Sequence, residues 1–203
     1  MVTETYTYYL YNIIKKWRDS MSRFLGKIHY IMFDKINYVD EITRKMSELL
    51  DEDVDLKNIE RGALEDLIDT DNIHGWLQVR VGIVEDNLAK VLSELKKEDK
   101  LEDALKIAYD FGAKKDFSGD ASDAFQFMSD KFLDGMPCDM ANLPVESDDR
   151  EFRWLKRIDV HEQYYIYGES SEIYDEFRRA WMNGLLSDCG LEYVVEDGIS
   201  IIR

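Results

Sequence analysis

The chain has 203 residues, 45% hydrophobic and 12% aromatic, enough for a packed interior and against a disordered chain. Its 43 acidic residues outnumber 26 basic ones, and a net charge of −17 argues against direct nucleic-acid binding, which needs neutralising cations. Two cysteines, Cys138 and Cys189, stand far apart in no ligand spacing, which argues against a disulfide scaffold or a metal site and for a reducing, cytoplasmic setting.

The charge is uneven. Residues 1–50 hold eight Lys/Arg against six Asp/Glu, a balance of +2 that leaves −19 on the other 153 residues. The simplest meaning is a solvated acidic surface; a mimic of nucleic acid that blocks a basic partner is the sharper one. The opening MVTETYTYYLY has no basic stretch followed by an apolar core, so no secretory leader is expected. No uncharged apolar run reaches the length of a membrane span.

In chain order, Leu10, Ile14, Trp17, Met21, Phe24, Ile28 and Ile31 recur in steps of four and three, and Tyr38, Ile42 and Leu49 keep the frame. This spacing predicts helix, with a break near Gly26 or Asp34, and resembles a coiled-coil seam. Leu10, Ile14, Trp17, Met21 and Phe24 are therefore the candidate interface for a homodimer or another protein. A basic helix rich in Tyr and Trp could also lie on a membrane surface. Asp51 to Asp55 (DEDVD) invites a calcium reading, but the sixth and twelfth positions of that loop are Leu56 and Gly62 where Gly and Glu are needed. It reads instead as the start of a helical segment over Leu56–Ile68. Asp71 to His74 likewise lacks the Glu-x-x-His pattern of di-iron bundles.

Residues 75–83 alternate like a strand, yet Leu77, Val81, Val84, Leu88, Val91 and Leu95 hold a 4-3-4-3-4 frame that predicts one helix from Asn72 to Lys97. Helices are also expected over Glu98–Phe111, stopped by Gly112, and over Gly119–Asp134, capped by Ser118 or Asp120 and ended by Gly135-Met136-Pro137. Pro137 and Pro144 mark residues 137–149 as a linker between a helical region (1–136) and a C-terminal unit (150–203), the whole forming one cooperative domain.

Period-two alternation predicts a strand from Phe152 to Ile166, ended by Gly168. Ser170 or Ser171 then caps a helix with the stripe Ile173, Phe177, Trp181 and Leu185. Gly190 suits a helix C-cap, and Asp197-Gly198 suits a type I′ hairpin turn. The fold class is α+β: five or six N-terminal helices packed on a small β-α-β-β sheet unit.

The helix ending in WMNGLL and the hairpin after it resemble the tail of the vinyl-reductase type of small-molecule-binding domain. Only the C-terminal helix and hairpin share the likeness. The cysteines typical of that ending are absent from the final hairpin, and no function is carried across.

Candidate chemistry is sparse. On one strand, Asp159 and His161 would share a face about 6–7 Å apart, where a carboxylate could orient an imidazole for base work. Tyr165 and Tyr167 extend the row, and an ordinary polar outer face is the plainer account. There is no nucleophile elbow and no glycine-rich phosphate loop. The expected functions rank as follows: a non-enzymatic interaction or regulatory protein that self-associates through its N-terminal helices; a small-molecule-binding domain with a pocket between helices and sheet, drawn from Trp154, Tyr164, Tyr165 and Tyr167; and an enzyme using Asp159 and His161. No cofactor or metal is expected.

Overall fold

The computed structural model describes residues 25–115, 117–135, 140–147 and 150–203. The proposed seam of Leu10, Ile14, Trp17, Met21 and Phe24, and also Cys138, lie outside the described residues. Five helices precede a four-stranded sheet: α1 (Lys27–Ser47), α2 (Leu64–Leu67), α3 (Ile73–Lys97), α4 (Leu101–Ala113) and α5 (Ala121–Ser129). The strands are β1 (Asn142–Ser147), β2 (Phe152–Lys156), β3 (Tyr193–Glu196) and β4 (Ile199–Ile202), with α6 (Glu172–Leu185) between β2 and β3. The α+β class holds. The sheet is antiparallel in the order β1-β2-β4-β3.

Helix α1 starts after Gly26 and runs through Asp34 without a break. The apolar frame at residues 77–95 prevails over the local alternation, so residues 73–97 form one helix with the Asn72 side chain accepting from the Gly75 N–H. Asp120 caps α5 in the same manner, accepting from Asp123. The Leu56–Ile68 helix is a correction: only the four residues of α2 are helical. The segment before it is held by Asn87 of α3, which accepts from the Lys57 N–H (3.1 Å) and donates to its carbonyl (2.8 Å).

Gly112 does not end α4; it lies within the helix. It marks a close crossing of α4 and α6 instead. A Cβ at Gly112 would sit 2.1 Å from the Trp181 carbonyl oxygen, and one at Gly184 would sit 2.0 Å from that of Tyr109. Each glycine admits the other helix's backbone. The crossing leads into an aromatic core in which Phe132 meets Trp181 edge-on at 4.9 Å, while the Trp181 indole N–H donates to the Tyr38 hydroxyl of α1 (2.7 Å).

Two expectations about the sheet are corrected. Strand β1 occupies part of the stretch expected as linker; it is an edge strand, and its bulge beside Pro144 accommodates a residue that cannot donate to a ladder. Strand β2 ends at Lys156 and does not continue to Ile166, so the unit reads β-β-α-β-β. Its inner face carries Phe152 and Trp154, with Phe125 of α5 stacked on Phe152 at 4.3 Å and Tyr193 of β3 stacked on Trp154 at 5.6 Å. Asp197 and Gly198 both have positive φ (51° and 79°), as the I′ turn requires.

Candidate functional site

The chain after β2 is bent inward by Asp159. Its Oδ1 accepts from the backbone N–H groups of His161 (2.9 Å) and Glu162 (3.1 Å), and its Oδ2 from Lys156 and Ser171. A side chain that offers the backbone two acceptors competes with a strand ladder, and here it seeds a 3₁₀ turn over Glu162–Tyr164. Asp159 therefore positions the main chain of His161 and makes no bond to its ring.

The His161 ring lies 2% exposed between two carboxylates from distant parts of the chain. Its Nδ1 is 2.6 Å from Glu85 Oε2 of α3, and its Nε2 is 3.0 Å from Asp134 Oδ1, just after α5. Ionised carboxylates only accept, so both ring nitrogens donate and the ring is an imidazolium. Burial alone would lower its pKa; Glu85 and Asp134 overcome that and hold it at about 9. The ring also stacks on Tyr174 of α6, with centroids 3.5 Å apart.

From Asp134 the charges continue. Arg178 of α6 donates to both Asp134 oxygens (3.3 and 3.2 Å) and to Asp175 (3.0 Å); Asp175 accepts from Lys156 (2.7 Å), which also donates to Asp159 (3.1 Å). Glu85, His161, Asp134, Arg178, Asp175, Lys156 and Asp159 thus alternate in sign along one chain of contacts tying α3, β2 and α6 together. Burial would raise the Asp134 pKa, but Arg178 and His161 hold it well below the usual carboxylate range.

The Glu85 end of this chain forms part of the wall of a cavity of about 260 Å³ between α1, α3, the segment after α5 and the 160–164 turn. Met32, Leu77, Val81, Leu133 and Val160 give it an apolar side; His74, Gln78, Glu85, Gln163 and Tyr164 give it a polar one. Glu85 Oε1 is buried and has no hydrogen-bond partner among the described residues. Beside the wall residue His74, the buried His29 accepts at Nδ1 from the Gly26 N–H (2.9 Å), so its Nε2 must carry the proton and donate to His74 Nε2, 3.2 Å away. Burial, then the nearby His74, lowers the His29 pKa. A protonated His29 Nε2 has no lone pair for a metal. Among the described residues no group of three metal-ligating side chains forms.

Of the residues singled out from sequence, Tyr164 lines the cavity while Trp154 is wholly buried under the sheet. The Tyr165 hydroxyl is buried, and the Tyr167 hydroxyl donates to Asp86 (2.5 Å). Glu85, Asp134 and Arg178 escaped the sequence reading. A signal existed for two of them: position 85 follows Val81 by four and precedes Leu88 by three, and position 178 stands likewise between Tyr174 and Trp181, so both charges fall on buried helix faces. Among the described residues no helix is long and apolar enough to cross a membrane. Comparisons with protein-family models, curated proteins and solved structures find no match to this chain.

Proposed function

We propose that the protein is a non-enzymatic small-molecule-binding domain whose ligand occupies the cavity between α1, α3 and the 160–164 turn. The observation that carries this reading is the wall itself, where Met32, Leu77, Val81, Leu133 and Val160 stand with the polar His74, Gln78, Glu85, Gln163 and Tyr164 around one space. The mixed wall, apolar with a few converging polar groups, is the usual composition of a ligand site. The cavity of about 260 Å³ is smaller than typical drug-sized sites, so the ligand is small.

Binding rather than turnover is favoured by what lines the space. Among the described lining residues there is no Ser, Thr or Cys nucleophile. His161, with both nitrogens donating to carboxylates, has no lone pair to act as a base. A fragment screen by ligand-detected NMR tests the reading, run on the wild type and on Gln78→Trp, which fills the cavity from an exposed wall position. Fragments that bind the wild type and lose binding in the variant are expected. Fragments that bind both equally, or none that bind the wild type, would contradict it.

A further inference from the structure

We propose that His29 and His74 form an acid-operated latch between the first turns of α1 and α3, and that a further proton on the pair releases this end of the cavity wall. Its bearing on a ligand rests on the binding reading above, whereas the latch itself stands on the two rings alone.

The first reason is proton accounting. His29 Nδ1 accepts from the Gly26 N–H and its Nε2 donates to His74 Nε2, so the neutral His74 ring carries its own proton on Nδ1. A further proton has two nitrogens open to it, His29 Nδ1 and His74 Nε2, and an N–H already points at each. On His74 Nε2 it sets two N–H groups face to face across 3.2 Å and breaks the contact between the helices. On His29 Nδ1 it meets the Gly26 N–H and breaks the bond that ties the residue before α1 to its first turn. Neither nitrogen can be protonated with both contacts kept.

The second is the position of both rings at helix N-termini. His29 is the third residue of α1 and His74 the second of α3. The positive end of a helix dipole disfavours a cation there, and neither helix has an acidic residue in its first turn to offset one. Carboxylates on the neighbouring segments are engaged elsewhere. Glu65 of α2 accepts from the Tyr30 hydroxyl (2.7 Å), Asp69 before α3 from the Asp71 N–H (3.0 Å), and Glu85, about three turns along α3, holds His161 (2.6 Å). Burial and the His74 ring both lower the pKa of His29, and no carboxylate raises it. A lowered folded value gives stability that is present above the ordinary 6.5 and lost on acidification.

The third is where the latch sits. His74 is itself a wall residue of the cavity, and Met32 and Leu77, one turn beyond the two histidines, are wall residues as well. Phe33 and Trp76, with ring centroids 6.0 Å apart, join the same two helices without a titratable group. Release therefore frays the first turns at the cavity and leaves the helix pair joined.

Amide hydrogen exchange on the full chain reads the release directly, since the His29 N–H is bonded to the Gly26 carbonyl and the Trp76 N–H to that of Asn72 (2.9 Å each). Corrected for intrinsic rates, protection at these two amides should fall about tenfold or more from about pH 7.5 to about pH 5, while Leu88 and Leu92 in the buried middle of α3 keep theirs. His74→Asn, whose amide takes up no proton, should lose this dependence. Should that variant fail to fold, the wild-type ring signals decide: His29 should titrate below its ordinary value, in step with the fall in protection. Protection at His29 and Trp76 that ignores pH, that falls equally at Leu88 and Leu92, or that falls as far in His74→Asn would overturn the latch and leave the binding reading standing. An empty fragment screen beside the expected fall in protection would overturn the binding reading and leave the latch.

Discussion

His161 is the residue on which the site depends, and its protonation makes that dependence measurable. Its folded pKa of about 9 lies above the ordinary value of 6.5, so the folded protein keeps a proton that the unfolded chain releases between those values. The stabilisation is complete below pH 6.5 and is lost as pH rises toward 9. Urea midpoints should therefore fall across that window. In His161→Gln the slope should be absent and the midpoint lower throughout, with a loss of about 3–5 kcal/mol because Glu85 remains buried without its cation while Asp134 keeps only Arg178. A wild-type midpoint constant from pH 6.5 to 9 would contradict the buried imidazolium. His29 has the opposite sign: its lowered pKa contributes stability that is present above 6.5 and lost on acidification, so His29→Asn should flatten the acid side of the profile. The sequence pointed to Asp159 and His161 as a pair but not to their geometry. Alternation through residue 166 implied one strand face, whereas the two N–H bonds made by Asp159 turn the chain and send the His161 ring to partners at positions 85 and 134. Partners so distant in sequence leave no spacing to read, although a glutamate on the buried stripe of α3 was a visible anomaly.

At the scale of elements, the crossing of α4 and α6 is set by Gly112 and Gly184. Gly184→Ala would place a Cβ 2.0 Å from the Tyr109 carbonyl, so the helices must separate; a loss of about 1–3 kcal/mol or more is expected. Gly82 of α3 is the matched control. Nothing lies within 4 Å of a Cβ there, so Gly82→Ala should stabilise by about 0.5–1 kcal/mol through helix propensity. Thermal melts of the two variants should move in opposite directions. A stable Gly184→Ala would mean that the helices do not touch there. Long periodic segments were legible because their frames outlast local ambiguity, as in α3, and the I′ turn was legible because Asp-Gly meets a specific φ requirement. Strand β1 was not, because prolines that suggest a linker are also tolerated on a sheet edge.

At the scale of the whole molecule, the charged chain joins α3, β2 and α6, and the cavity lies where its Glu85 end meets α1. Self-association remains a separate proposal, resting on the regular spacing of Leu10, Ile14, Trp17, Met21 and Phe24. An apolar seam should give a dimer in sedimentation that persists or strengthens as salt is raised, and a monomer at all salts would sink it. The cavity was legible only as a class, since its wall combines α1, α3, Leu133 and the 160–164 turn, segments that no local pattern brings together. A methyl-labelled NMR titration with fragments that bind the wild type locates their site on the protein directly. Saturable shifts are expected at Met32, Leu77, Val81, Leu133 and Val160; shifts elsewhere with those five unmoved, or no shifts from any fragment, would overturn the cavity as the binding site.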